Sequence, residues 1–345
     1  MQVVAKAYWL PKKGHEEAEY EDAFAPGDTL LDGDLFRCAI ADGATEASFS
    51  KQWARALVNA WQLGSLTKER FVTQICELQD NWRRGITEVR KHQKLSWYAQ
   101  QKADLGAFAA LVGFVLHHDP VPAAPPADAE QGDDWAEQGP PAAQTAADPE
   151  AADAAAGDQA PAEPAPDAQQ LGVPWWEALA VGDCNLFQVR GGRLLTAFPL
   201  TASEQFHGGP FLVSTRGTAG ADLSRHVRVV HGDWQPHDTF YLMTDALAAW
   251  FLRAFEAAEQ PWDVVEQALG TEDPQESFAA LVRGLREQKL LHNDDVTLLA
   301  IRVDLSLAAV ATATPPLAWE EPAAEDAGDA APAEHTDTQV GDQES

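Results

Sequence analysis

Hydrophobic positions along this chain change period several times, and each change marks an element. Leu35-Phe36-Arg37-Cys38-Ala39-Ile40-Ala41 is a short apolar run that stops at Asp42-Gly43, as a buried strand does when it enters a turn. Phe49, Trp53, Leu57 and Trp61 then recur every four residues. Phe71, Ile75, Leu78 and Trp82 follow at spacings of 4, 3 and 4, so two amphipathic helices are expected. Strands are expected over residues 107–117 and 176–181. Arg190-Gly191-Gly192-Arg193 separates two further apolar runs, 185–189 and 194–198, and Gly-Gly between such runs signals a hairpin. Residues 239–243 read as a strand ending at Asp245, followed by a helix that carries Trp250 to Phe255, and 296–303 read as the closing strand. Strands, helices, strands, helix and strand without regular βαβ alternation favour an α+β sandwich over a doubly wound sheet.

Charge changes this picture by dividing the chain. The formal net charge is −30 over 345 residues, yet no Lys or Arg occurs between Lys102 and Arg190 or after Arg302. The stretch 118–170 holds 12 acidic residues and the segment from Asp304 onward holds 10, leaving about −8 for the remainder. Residues 120–170 and 307–345 are rich in Ala, Pro, Asp and Glu and poor in large apolar side chains, so both are expected to be disordered. A single folded domain is then carried by residues 1–119 and 171–306. The first acidic stretch is an insertion in a surface loop, where closure entropy grows only slowly with length. No basic face suited to nucleic acid is present. No apolar run approaches the ~20 residues that cross a membrane, and residues 1–14 lack the apolar core of a secretion signal, so a cytoplasmic monomer is expected. Cys38, Cys76 and Cys184 share no metal-like spacing and lie in apolar contexts, which predicts buried, reduced thiols.

Candidate chemistry sits at the ends of these runs. Glu21-Asp22-Ala23-Phe24, Asp42-Gly43-Ala44-Thr45, Thr244-Asp245-Ala246-Leu247 and Asn293-Asp294-Asp295-Val296-Thr297 are acidic clusters at strand ends or turns. Carboxylates that end neighbouring strands gather at one edge of a sheet, where they raise each other's pKa unless hard divalent cations with oxygen ligands intervene. The pattern therefore suggests a Mg²⁺ or Mn²⁺ site. Taken singly, each cluster has a plainer explanation. Asp-Gly is a common turn, Thr244-Asp245 is a good helix N-cap, and Glu21-Asp22 and Asn293-Asp294-Asp295 suit ordinary loops. The ten histidines are scattered, and only His292, next to Asn293-Asp294, is placed to support the clusters.

Their order and context resemble the metal-dependent type 2C, or PPM, protein phosphatases. The resemblance covers about residues 1–120 and 171–306. It rests on Glu21-Asp22-Ala23-Phe24, Ala41-Asp42-Gly43, Gly106-Ala107-Phe108-Ala109, Gly182-Asp183-Cys184, Thr244-Asp245-Ala246 and Asp294-Asp295-Val296-Thr297, which occur in the family's order. It implies a central antiparallel β-sandwich flanked by helices, with two Mn²⁺ or Mg²⁺ ions at one end and a phosphorylated protein as substrate. Asp42 would bridge the two ions, with the Gly43 carbonyl reaching the second. Asp245 and Asp294 would complete the first site, and Glu21 and Asp22 would line the second through water. Asp183 and Asp295 would support the site rather than ligate.

The resemblance also implies the reaction, hydrolysis of phosphoserine or phosphothreonine by a metal-activated water, with Asp42, Asp245 and Asp294 as the catalytic carboxylates. Several positions depart from the family pattern. Glu17 stands where eukaryotic members place a phosphate-binding Arg, leaving Lys12 or Lys13 to take that part. Ala44 offers no general acid after Asp42-Gly43, and Ala246 replaces the usual Gly. These departures are the support for an alternative, a pseudophosphatase that binds a phosphoprotein without turnover. Residues 203–221, with Gly208-Gly209-Pro210, are the candidate substrate flap.

Overall fold

The computed structural model describes residues 1–44, 49–92, 106–118, 174–217 and 220–305. The expected insertion and almost all of the expected tail lie outside these residues. Two mixed-order antiparallel sheets form the centre. The first runs β3 (Thr29–Asp32), β1 (Gln2–Leu10), β12 (Val296–Asp304), β11 (Thr239–Met243), β7 (Asn185–Arg190) and β8 (Arg193–Phe198). The second runs β10 (Arg228–Asp233), β6 (Trp175–Val181), β5 (Phe108–His117), β4 (Leu35–Gly43) and β2 (Ala23–Ala25), with the short β9 (Val213–Ser214) also paired to β5. The α+β sandwich expected from the sequence is the observed class.

Alternation along the strands explains why the sheets stack. Cys38, Ile40, Val112, Phe114 and Ala178 of one sheet meet Val3, Leu186, Phe240, Leu299 and Ile301 of the other in a single buried cluster. The opposite faces are also apolar, so each needs a cover. Helices α1 (Ser50–Gln62) and α2 (Phe71–His92) cover the second sheet, and Trp53, Leu57, Trp61 and Ile75 reach Ala39, Leu111 and Val115. Trp61 lies flat where Gly113 leaves room, since a Cβ there would come within 2.2 Å of its ring. The short α3 (Gly220–His226) adds Leu223 to the same layer. Helices α4 (Asp245–Glu256), α5 (Pro261–Leu269) and α6 (Pro274–Glu287) cover the first sheet with Leu247, Phe251, Val265, Phe278 and Val282.

The Gly-Gly hairpin is present between β7 and β8, with Gly191 at φ 54° and Gly192 at φ 71°. Both lie in the left-handed region that tight hairpins require. One expectation fails. Cys38 and Cys184 are buried, but Cys76 is exposed, because it follows Ile75 by one residue on α2 and turns about 100° away from the packed face. Among the described residues all three thiols are free, and no helix is long and apolar enough to cross a membrane.

At the end of the sandwich where β5 leaves for residue 118, Glu177 is buried. Burial opposes its ionisation, but the approach of His117, 3.8 Å away, and the hydrogen bond from Lys68 outweigh that and hold its carboxyl at about 2. A carboxyl depressed from 4.5 contributes stability that is complete above about pH 4.5 and is lost as pH falls towards 2. Glu177→Gln is therefore expected to remove part of the acid limb of an unfolding-against-pH curve while leaving the carboxylate-independent part near neutrality. An acid limb identical to wild type would show that the Lys68 pair contributes nothing.

Candidate active site

Register brings the acidic clusters to one end of the sandwich. Ala41 pairs with Ala23 and Gly43 with Ala109, so Asp42 ends β4 beside the Glu21-Asp22 loop and the start of β5. Val181 pairs with Leu111 and carries Gly182-Asp183 to the same end. In the other sheet, Met243 pairs with Leu298, which sets Thr244-Asp245 against the Asn293–Thr297 segment. Thus Asp42 and Asp183 come from one sheet, and Asp245 and Asp294 from the other. Each of these four is only half-buried.

Their charges act on one another. Burial pushes the Asp42 carboxyl well up, and the charges of Asp22, Asp245, Asp183 and Asp294 add to the push. Asp245 is raised to about 7 by burial and by Asp183 and Asp294, partly offset by the Ala246 N–H that it accepts at 2.5 Å. Asp183 is raised to about 6 by burial and Asp294. Among the described residues no three His, Cys, Asp or Glu side chains are drawn together as a ready-made metal cluster. The carboxylates at this end nevertheless offer oxygen donors only, the kind that hard divalent cations such as Mg²⁺ or Mn²⁺ take.

A set of hydroxyls and one further carboxylate hold this arrangement. Asp22 is 2% exposed, and its Oδ2 accepts the Thr297 hydroxyl at 2.7 Å. The Thr297 Oγ1 also meets the Tyr20 hydroxyl, and the Thr297 N–H donates to Thr244 Oγ1 at 2.9 Å. Burial drives the Asp22 carboxyl up, and Asp295 and Asp245 add to this against the bonds from Thr297 and Thr244. Asp295, 4% exposed, accepts the backbone N–H of Lys12 at 2.9 Å and of Glu21 at 2.6 Å. It thereby staples the loop after β1 to the start of β12. Thr244, Thr297 and Tyr20 were missed by sequence reasoning. A threonine flanking each aspartate motif, in Thr244-Asp245 and Asp294-Asp295-Val296-Thr297, was the available signal.

The remaining sequence candidates fall as follows. Glu21 is half-buried, with Lys12 Nζ 3.8 Å from its Oε2. Lys13 is exposed, and its N–H donates to Asn293 Oδ1. His292 is exposed and supplies only its carbonyl, which accepts the Asp294 N–H at 3.1 Å. Cys184 is fully buried beside the cluster, and burial followed by the charge of Asp42 pushes its thiol well up. Residues 203–217 of the candidate flap form a 3₁₀ turn (Ser203–His207) and β9, and with Asp183 they line a cavity of about 210 Å³.

Gly43 is required by space. A Cβ there would lie 2.6 Å from the Glu21 carbonyl oxygen and 3.0 Å from the Ser50 backbone. Gly43→Ala is expected to displace the Glu21-Asp22 loop, costing about 1–3 kcal/mol of stability and weakening Mn²⁺ binding measured by calorimetry. Unchanged stability and affinity would show that the loop yields freely.

No family model matches the sequence, and no curated protein matches it. Solved structures of similar fold include the catalytic domain of the serine threonine protein phosphatase PstP in complex with two manganese ions (13% identity, 88% of this chain and 100% of that one, TM-score 0.42). A bacterial serine phosphatase is 10% identical over 88% and 98% of the two chains, with a TM-score of 0.46. The PPM Ser-Thr phosphatase MsPP from Mycobacterium smegmatis, in complex with cacodylate, is 14% identical over the same shares, with a TM-score of 0.40. These are distant likenesses.

Proposed function

We propose that this chain is a PPM-type phosphatase that removes phosphate from phosphoserine or phosphothreonine in proteins, as a cytoplasmic monomer using two Mn²⁺ or Mg²⁺ ions. The observation that carries the reading is the strand register that brings Asp42 and Asp183 of one sheet and Asp245 and Asp294 of the other to one end of the sandwich, where the ionisation of Asp42, Asp183 and Asp245 is opposed by burial and by neighbouring carboxylates. Bound divalent cations would neutralise the phosphate and lower the pKa of water. Asp42 would hold both, helped by the Gly43 carbonyl, while Asp245 and Asp294 serve one ion and Glu21 and Asp22 the other.

The chain's own residues supply position. Thr297 and Thr244 fix the Asp22 carboxylate, and Asp295 fixes the Glu21 backbone, so both acidic residues are held before substrate arrives. Preset geometry of this kind lowers the reorganisation needed during phosphoryl transfer, which depends on alignment and charge neutralisation. Lys12 and Lys13 stand on the loop next to Glu21 and would meet the substrate phosphate or its flanking residues.

The test is hydrolysis of a phosphothreonine peptide by purified protein with Mn²⁺. Turnover is expected, with complete loss in excess chelator and recovery on adding back Mn²⁺. Undiminished turnover in chelator would refute the metal-dependent reading. Mn²⁺ binding without turnover on any phosphopeptide would assign the pseudophosphatase instead.

A further inference from the structure

A second cleft, of about 380 Å³, opens between the end of β1 and the last turns of α6. Leu10, Pro11 and Leu291 give it an apolar floor, while Lys12, Lys13 and Arg283 give it a cationic rim. Arg286 shapes the wall, donating to the carbonyls of Pro11 at 3.0 Å and Asp294 at 2.5 Å. Its Nε is buried without a hydrogen-bond partner among the described residues. An apolar floor under a cationic rim suits an acidic peptide that carries a large apolar anchor.

The chain itself contains such a segment. Pro315-Pro316-Leu317-Ala318-Trp319-Glu320-Glu321-Pro322 places Leu317 and Trp319 two residues apart, a spacing that an extended backbone would present on one side, directly before two glutamates. Residues 305–345 contain nine Asp and Glu and no Lys or Arg, so the segment brings only negative charge to a lining that holds Lys12, Lys13, Arg283 and Arg286 against one carboxylate, Glu287; its glutamates must compete there with Glu21, 3.8 Å from Lys12, and with Glu276, which pairs with Arg283. The tether is long enough. β12 starts next to this cleft and ends at Asp304, which sets the tail's origin about 30 Å away. Residues 305–316 can span about 40 Å when extended.

We propose that the cleft between β1 and α6 is a docking site for an acidic, apolar-anchored peptide, and that its occupant is the chain's own segment 315–322. Trp319 fills the apolar floor, and Glu320 and Glu321 meet Lys12, Lys13 and Arg283 at the rim. Tethering raises the effective concentration to the millimolar range, so weak contacts suffice. The inference stands on the cleft and on charge, and it holds whether or not the neighbouring acidic edge is catalytic.

Full-length protein treated with a zero-length carbodiimide coupler tests it, because this reagent joins lysine amines only to carboxylates in contact. Mass spectrometry should find Lys12 or Lys13 joined to Glu320 or Glu321 within one chain, as shown by mixing ¹⁴N- and ¹⁵N-labelled protein. Trp319→Ala should lower that yield about tenfold, the equivalent of losing one buried aromatic anchor. Arg283→Glu and 0.5 M salt should each lower it further by weakening the rim. Coupling to Asp133, Asp134 or Glu137 instead would give the cleft to another segment and overturn the assignment. Coupling only between labelled and unlabelled chains, or a yield indifferent to Trp319→Ala, would overturn it as well.

Discussion

Asp42→Asn is expected to lower phosphothreonine-peptide hydrolysis by at least about 10²–10³-fold, the scale seen when one preorganised electrostatic group is lost from a catalytic site. Asn keeps the shape of Asp and removes the charge on which Asp22, Asp245, Asp183 and Asp294 all act. Both ions in the proposed arrangement depend on that carboxylate, so the loss falls on turnover and metal affinity together. In metal-free protein the same change relieves repulsion, and the melting temperature should stay level or rise. A variant that is inactive yet no less stable separates a chemical role from a folding one. Near-wild-type turnover would remove Asp42 from the mechanism, and a collapsed melting temperature would make it a structural residue.

Divalent metal is expected to stabilise the wild-type protein in a pH-dependent way. A ligand that binds only the folded form adds about 2.7 kcal/mol at a hundredfold excess over its Kd. Carboxyls raised on folding have the opposite linkage to a salt-bridged one. The folded state holds protons that the unfolded state has released, so stability falls as pH rises through the interval between the two values. For Asp245 that interval runs from 3.8 to about 7, and for Asp183 from 3.8 to about 6. Metal-free protein should therefore lose stability between about pH 4 and 7, and saturating Mn²⁺ should cancel most of that loss. Calorimetric melts at several pH values, with Mn²⁺ and with chelator, measure this directly. Asp245→Ala or Asp294→Ala should blunt the Mn²⁺ effect. A full Mn²⁺ rise that survives both substitutions would place the ions elsewhere, and no rise at millimolar Mn²⁺ would argue against a preformed site.

Local pattern was sufficient for the elements whose periodicity is strong. The run ending at Asp42-Gly43 is β4, the four-residue repeat of Phe49, Trp53, Leu57 and Trp61 spans α1, and Gly191-Gly192 turns the hairpin. It was insufficient where burial is one-sided or broken. β10 is an edge strand with no residue fully buried, so no apolar run announces it. α5 is short, with nine residues of which only Pro261, Trp262 and Val265 are buried.

The acidic residues of the candidate site were readable because each lies at or just outside a strand end, as Asp42 ends β4, Asp183 and Asp245 follow β6 and β11, and Asp22 and Asp294 precede β2 and β12, and a strand end can be located from its own sequence. Their partners were not. Thr297 reaches Asp22 across 275 positions, and Asp295 reaches Glu21 across 274. Asp183 joins the cluster only because β6 pairs with β5 in the observed register. The sequence by itself determined which carboxylates sit at strand ends and that the chain would stack antiparallel sheets beneath helices. Which carboxylates face one another, and which hydroxyls hold them, was decided by strand register and by the stacking of the two sheets. Hydrogen bonds and repulsion between charges act over a few ångströms in space, and distance along the chain does not report that separation.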